Sequence, residues 1–98
     1  MRLAVAGPHL KVKVDQVLIK RTIAIKDIYV PSKRRLTLNP KTVQEVAESI
    51  LEIGQQAPIM VRQDGERFVL VEGLHRLEAC KMLGEKTIIG VLVQARKH

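Results

Sequence analysis

Residues 70–79 read Leu70-Val71-Glu72-Gly73-Leu74-His75-Arg76-Leu77-Glu78-Ala79, and the fold is decided there. The apolar run ending at Val71 has the pattern of a strand. Leu74 to Leu83 reads as a helix stopped by Gly84. A strand that hands over to a helix makes a ready anion site, because the first helical N–H groups have no partner within the helix and the helix dipole adds partial positive charge. Gly73 lets a phosphate approach the backbone closely. Arg76 in the first turn can add a bidentate contact and His75 a second donor. Taken alone, Gly-x-His-Arg is equally a tight turn followed by a solvated arginine, so its meaning depends on what surrounds it.

Working outward, Ile59-Met60-Val61-Arg62 and Arg67 to Val71 flank Asp64-Gly65, a hairpin signal because the turn needs positive φ. Upstream, Asn39 is a good N-cap and Pro40 suits the first helical position. Val43, Val46, Ala47, Ile50 and Leu51 then form one apolar stripe, and Gly54 ends the helix. Glu45, Glu48 and Glu52 fall on its solvated face. Thr87 to Val93 reads as a last buried strand, and Val17 to Ile25 as a first one. Lys26 to Leu38 is irregular, with Pro31, Ser32 and the triplet Lys33-Arg34-Arg35. Residues 1–15, with Gly7 and Pro8, read as a loose basic arm, leaving 16–98 as the domain. The order strand, helix, strand, strand, helix, strand predicts an α+β (mixed α/β) domain: a small mixed sheet with two main helices.

A chain of 98 residues allows one domain. No apolar run reaches the ~18 residues of a membrane span, and Met1 to Leu10 is too short and weakly apolar for a secretory signal. The lone Cys80 can form no internal disulfide, and the histidines (His9, His75, His98) build no metal cluster, so no protein-held metal and a reducing, cytoplasmic setting are expected. The net charge is +7, and all of it lies in residues 1–35, which hold nine basic and two acidic side chains; residues 36–98 sum to zero. A localised basic block points to polyanionic partners. Lys20, Arg21, Lys33, Arg34 and Arg35 are the candidate DNA contacts, with phosphate-dominated, salt-sensitive and nonspecific binding expected. With Tyr29 and Phe68 as the only aromatics, no stacking platform for single strands is present.

Together, Gly54-Gln55-Gln56-Ala57-Pro58-Ile59-Met60-Val61-Arg62 and the stretch 70–79 resemble the two N-terminal boxes of the ParB family, the partition proteins that share a fold with sulfiredoxin. The preceding helix, Val43-Gln44-Glu45-Val46-Ala47-Glu48-Ser49-Ile50, resembles the family too. The likeness runs from about Val17 to Val93. It implies the ParB/sulfiredoxin-like fold and a nucleotide (CTP, ATP or ADP, with Mg2+) held by its phosphates at Gly73, Leu74, His75 and Arg76, with Gln56 nearby. It also implies DNA and a homodimer or partition-type protein as partners.

The second box of that family commonly reads G-E-R-R-x-R-A. Gly73, Arg76 and Ala79 agree, while Leu74, His75 and Glu78 replace a Glu and two Arg. One cation is lost and an acid gained, which weakens the pull on a triphosphate. The family's later segment and its helix-turn-helix domain have no counterpart before His98, so sequence-specific centromere binding is not expected. Sulfiredoxin carries Gly-Cys-His-Arg; Leu74 stands at the nucleophile and cannot form its covalent intermediate. Free-serine kinases of the same fold resemble Asp-Gly-His-His-Arg, which makes Glu72 the one candidate catalytic group. The leading expectation is a stand-alone nucleotide- or phosphate-binding module that contacts DNA in a partition or mobile-element setting. The alternatives are a weak nuclease, hydrolase or kinase of this fold, and a small protein adaptor.

Overall fold

The helix from Pro40 to Ile53 starts as its sequence predicts. In the computed structural model, which describes residues 19–93, the Asn39 side chain accepts the N–H groups of Lys41 (3.0 Å) and Thr42 (3.4 Å), and Gly54 closes the helix with φ +81°. The expected arm at 1–15 and the start of the first expected strand lie outside the described residues. The elements are β1 (Lys20–Ala24), a 3-10 turn (Ile25–Asp27), β2 (Ile28–Tyr29), α1 (Ser32–Arg35), α2 (Pro40–Ile53), β3 (Ile59–Asp64), β4 (Arg67–Glu72), α3 (Leu74–Met82) and β5 (Thr87–Leu92). Lys26 to Leu38, irregular by sequence, instead holds β2 and α1. The hairpin forms, but its two-residue turn is Gly65-Glu66, because Asp64 still pairs with Arg67; Gly65 supplies the positive φ, +64°.

The five strands make one mixed sheet in the order β1-β5-β3-β4-β2. β1 and β5 are antiparallel, β5 and β3 parallel, β3 and β4 antiparallel, and β4 and β2 parallel. Alternation along the strands puts Ile23, Ile88, Ile59, Val61 and Leu70 on one face, where they meet Leu74, Leu77 and Cys80 of α3 in a single core. Leu77 and Ile59 are fully buried, each stabilising the fold by about 1.5–3 kcal/mol. α2 packs outside α3 through small residues: Val43, Ala47 and Ala79 form a second cluster, with Val46, Ile50 and Leu83 at its edge. Leu51 departs from the predicted stripe, being 74% exposed. An apolar arc that wide cannot all face α3, and Leu51 lies on its far side.

Gln55 does work that the sequence does not announce. Its amide nitrogen donates to the carbonyl oxygens of Ala57 and Ile89 (both 2.9 Å), and its oxygen accepts the N–H of Ile89 at 3.0 Å. The side chain thus pairs with β5 as a strand backbone would, in line with the β3–β5 ladder that starts at Ile59 and Gly90. This tie fixes the loop that delivers the chain from α2 to β3.

Candidate functional site

Gly73 is the hinge on which the site turns. Its φ is +110°, a left-handed conformation that side chains resist, and a Cβ built there would stand 2.7 Å from Ile59 Cγ2 and 3.0 Å from Ile59 Cβ. The glycine is therefore required by the packing of α3's start against β3, quite apart from any ligand. Since it has no side chain, it gives α3 no side-chain cap. The helix's first internal bond is Leu77 N–H to Gly73 O at 2.9 Å, so the N–H groups of the preceding turn face outward without an intrahelical partner.

These groups open onto a cleft of about 420 Å³ lined by Arg34, Thr37, Val46, Glu72, Gly73, Leu74, His75 and Arg76. Its size falls within the range of small-molecule sites. Arg76 is half-buried, and its guanidinium has no ion-pair partner among the described residues. Leu74 turns its side chain into the core, 6% exposed, and so offers the cleft only backbone. His75 accepts the backbone N–H of Asn39 at Nε2, 3.0 Å away, which places its proton on Nδ1. That bond ties the cap of α2 to the first turn of α3 across 36 residues. It also means that His75 has one donor to spare for a ligand, not two.

The side chains of Lys33, Arg34 and Arg35 take different directions. The α1 turn, closed by bonds from Arg34 N–H and Arg35 N–H to Pro31 O, fans its side chains out. Arg34 enters the cleft and pairs with Glu72, Nη1 to Oε1 at 3.1 Å. Arg35 folds back, its Nε donating to Val30 O at 3.3 Å. Lys33 and Arg35 both stay exposed. The sequence alone groups Arg34 with the DNA contacts and offers Glu72 as a candidate catalytic group; the structure brings the two together, and no local signal pairs residues 38 positions apart. Thr37 joins the cleft with its hydroxyl donating to Arg34 O at 2.7 Å. Gln56 lies outside the cleft lining, its amide donating to Ile53 O at 2.9 Å at the end of α2. Lys20 and Arg21 are exposed on β1, an edge strand.

Glu72 is the cleft's one carboxylate, and among the described residues no group of three His, Cys, Asp or Glu gathers as metal ligands would. Cys80 is buried, 3% exposed. Burial pushes its thiol up, with the charge of Glu85 adding to the rise and Arg76 opposing it. It is an inert core side chain rather than a nucleophile. No described helix is long and apolar enough to cross a membrane.

Comparison with known proteins agrees with this fold. The chain is 36% identical over 62 residues to the probable chromosome-partitioning protein ParB of Campylobacter jejuni; the match covers 63% of this chain and 22% of that protein. This chain therefore spans about a fifth of that curated relative. Among solved structures, sulfiredoxin from Arabidopsis thaliana superposes with a TM-score of 0.71 at 28% identity, over 79% of this chain and 86% of the other. The C-terminally truncated chromosome-partitioning protein ParB from Caulobacter crescentus, complexed with CTP-gamma-S, superposes with a TM-score of 0.70 at 24% identity, over 81% of this chain and 46% of the other. The ParB N-terminal domain profile matches residues 8–98, nearly the whole sequence, and with the mixed sheet and the α3 cleft already described, the chain belongs to the ParB N-terminal domain family.

Proposed function

We propose that this domain is a phosphate-binding module that takes a nucleotide's phosphates at Gly73–Arg76 and contacts DNA through its basic N-terminal third, within a partition or mobile-element system. The observation that carries the reading is the convergence in one cleft of the uncapped start of α3 with two guanidinium groups, Arg34 and Arg76. Free N–H groups at a helix start bind anions through geometry and dipole, and a guanidinium adds a bidentate partner. The Caulobacter relative, solved with CTP-gamma-S, supports a nucleotide as the ligand. A Mg2+ ion would be held chiefly by the phosphates, because the cleft lining offers it a single carboxylate, Glu72. Sulfiredoxin chemistry finds no thiol here: Leu74 is core and Cys80 is buried.

DNA contact is supported by the charge block in residues 1–35 and by the exposure of Lys20, Arg21 and Lys33. Arg34 is engaged by Glu72, while Arg35 stays exposed beside Lys33 although its Nε donates to Val30 O. Titration of CTP, ATP, ADP and a short DNA duplex into the protein and its Arg76→Ala variant tests the reading. Losing a hydrogen-bonded cation weakens nucleotide binding by about 10- to 100-fold, while duplex binding changes little. Equal nucleotide affinity in the two proteins removes the site.

A further inference from the structure

A carboxylate and a phosphate oxygen are the same kind of partner for a guanidinium. In this cleft the place beside Arg34 is taken by Glu72, 3.1 Å away, and both residues line the space that also holds Arg76 and the start of α3. The pair is partly exposed, with side chains 41% and 64% accessible, so it can exchange with an anion from solution. Glu72 stands at the end of β4, directly before Gly73, and Arg34 in the four-residue α1, which buries none of its own residues. Their ion pair thus ties a lightly anchored turn to the site's rigid edge. It also cancels one of the cleft's two guanidinium charges. We propose that Glu72 is a built-in competitor, holding Arg34 until a phosphate-bearing ligand displaces its carboxylate. The proposal rests on the phosphate-binding reading and adds a regulation of that site.

Removing a competitor strengthens binding, whereas removing a ligand contact weakens it, so the two roles separate by sign. The test is calorimetric titration of sodium pyrophosphate at low ionic strength into the native protein and into Glu72→Gln, Glu72→Asp, Arg76→Ala, Arg34→Ala and Arg34→Ala/Glu72→Gln. An exposed ion pair is worth up to about 1 kcal/mol, or roughly fivefold. Glu72→Gln is expected to bind about three- to fivefold more tightly than the native protein. Glu72→Asp is expected to bind more tightly too: it keeps the charge but is one methylene short of Arg34, which separates displacement from simple repulsion. On the Arg34→Ala background, Glu72→Gln is expected to gain less than about twofold. Circular dichroism and thermal unfolding confirm that each variant is folded, which an exposed strand-end residue favours. If both Glu72 variants bind no more tightly than native while Arg76→Ala binds more weakly, the site stands and the competitor role falls. If the native protein and every Glu72 variant fail to take up pyrophosphate, the site falls and the competitor role with it.

Discussion

Gly73→Ala separates what the fold asks of this glycine from what a ligand asks. An alanine at φ +110° carries a backbone penalty of about 1–2 kcal/mol. Its Cβ would stand 2.7, 3.0 and 3.2 Å from Ile59 Cγ2, Cβ and Cα. Ile59 is fully buried between β5 and α3, so it cannot swing aside, and overpacking of this kind costs about 1–3 kcal/mol. The expected loss is about 2–5 kcal/mol, a large share of the 5–15 kcal/mol typical of a small domain. Gly84→Ala is the control: φ is +79°, but nothing lies within 4 Å, so only the backbone penalty applies. Urea unfolding followed by circular dichroism gives both values, and each kcal/mol also moves Tm by about 4–8 °C. Ile59→Ala removes the Cγ2 contact, so Gly73→Ala should cost less on that background. If Gly73→Ala and Gly84→Ala destabilise equally, within a few tenths of a kcal/mol, the contact with β3 carries no weight and the reasoning fails.

Asn39→Ala removes the acceptor for Lys41 N–H and Thr42 N–H and should cost about 1 kcal/mol in denaturant midpoint with m unchanged, while Asn39→Asp keeps the cap and most of the stability. Because the Cys80 thiol is raised, the folded chain keeps a proton that the unfolded chain releases, so its contribution is full below the unfolded thiol's range and is lost as pH rises through it. The native protein should therefore lose more stability between pH 7 and pH 10 than Cys80→Ala does, measured by urea midpoint at both pH values. Equal losses would show that the thiol titrates alike in both states. Gln55→Ala breaks the three bonds that tie the α2–β3 loop to Ala57 and Ile89, and hydrogen exchange at Ile89 N–H should speed up locally. Unchanged exchange there would show that the Gln55 side chain does not protect that amide.

The parts of the fold legible in the sequence are those whose signals are local. Asn39-Pro40 and Gly54 bracket α2 because caps act within one turn. Asp64-Gly65 marks the hairpin to within one residue because the turn needs a left-handed position there. Gly73 is legible as a junction, but its reason is not: Ile59, which forbids a side chain, lies 14 residues back in sequence and on the neighbouring strand. β2 escapes because two residues, Ile28 and Tyr29, owe their strand state to parallel pairing with Phe68 and Val69, 40 residues away. The same distance effect hides the cleft's composition. The meeting of Arg34 with Glu72, and of His75 with Asn39, comes from folding α1 and the start of α2 against the end of β4 and the start of α3. Gln55 and Gln56 are one residue type at adjacent positions, and only the loop's path decides that Gln55 reaches β5 while Gln56 turns back to Ile53. Motif reading finds the backbone of this site; the side chains that complete it come from tertiary structure.

Anion binding at the start of α3, as proposed, has an amide-level signature. Amide-resolved NMR during titration with pyrophosphate and with CTP tests it most directly. Saturable shifts are expected, centred on the N–H groups of Gly73, Leu74, His75 and Arg76 and extending through the Nε2 bond to Asn39 and across the cleft to Thr37. Shifts confined to Lys20, Arg21 and Lys33, or none at the start of α3, would contradict it.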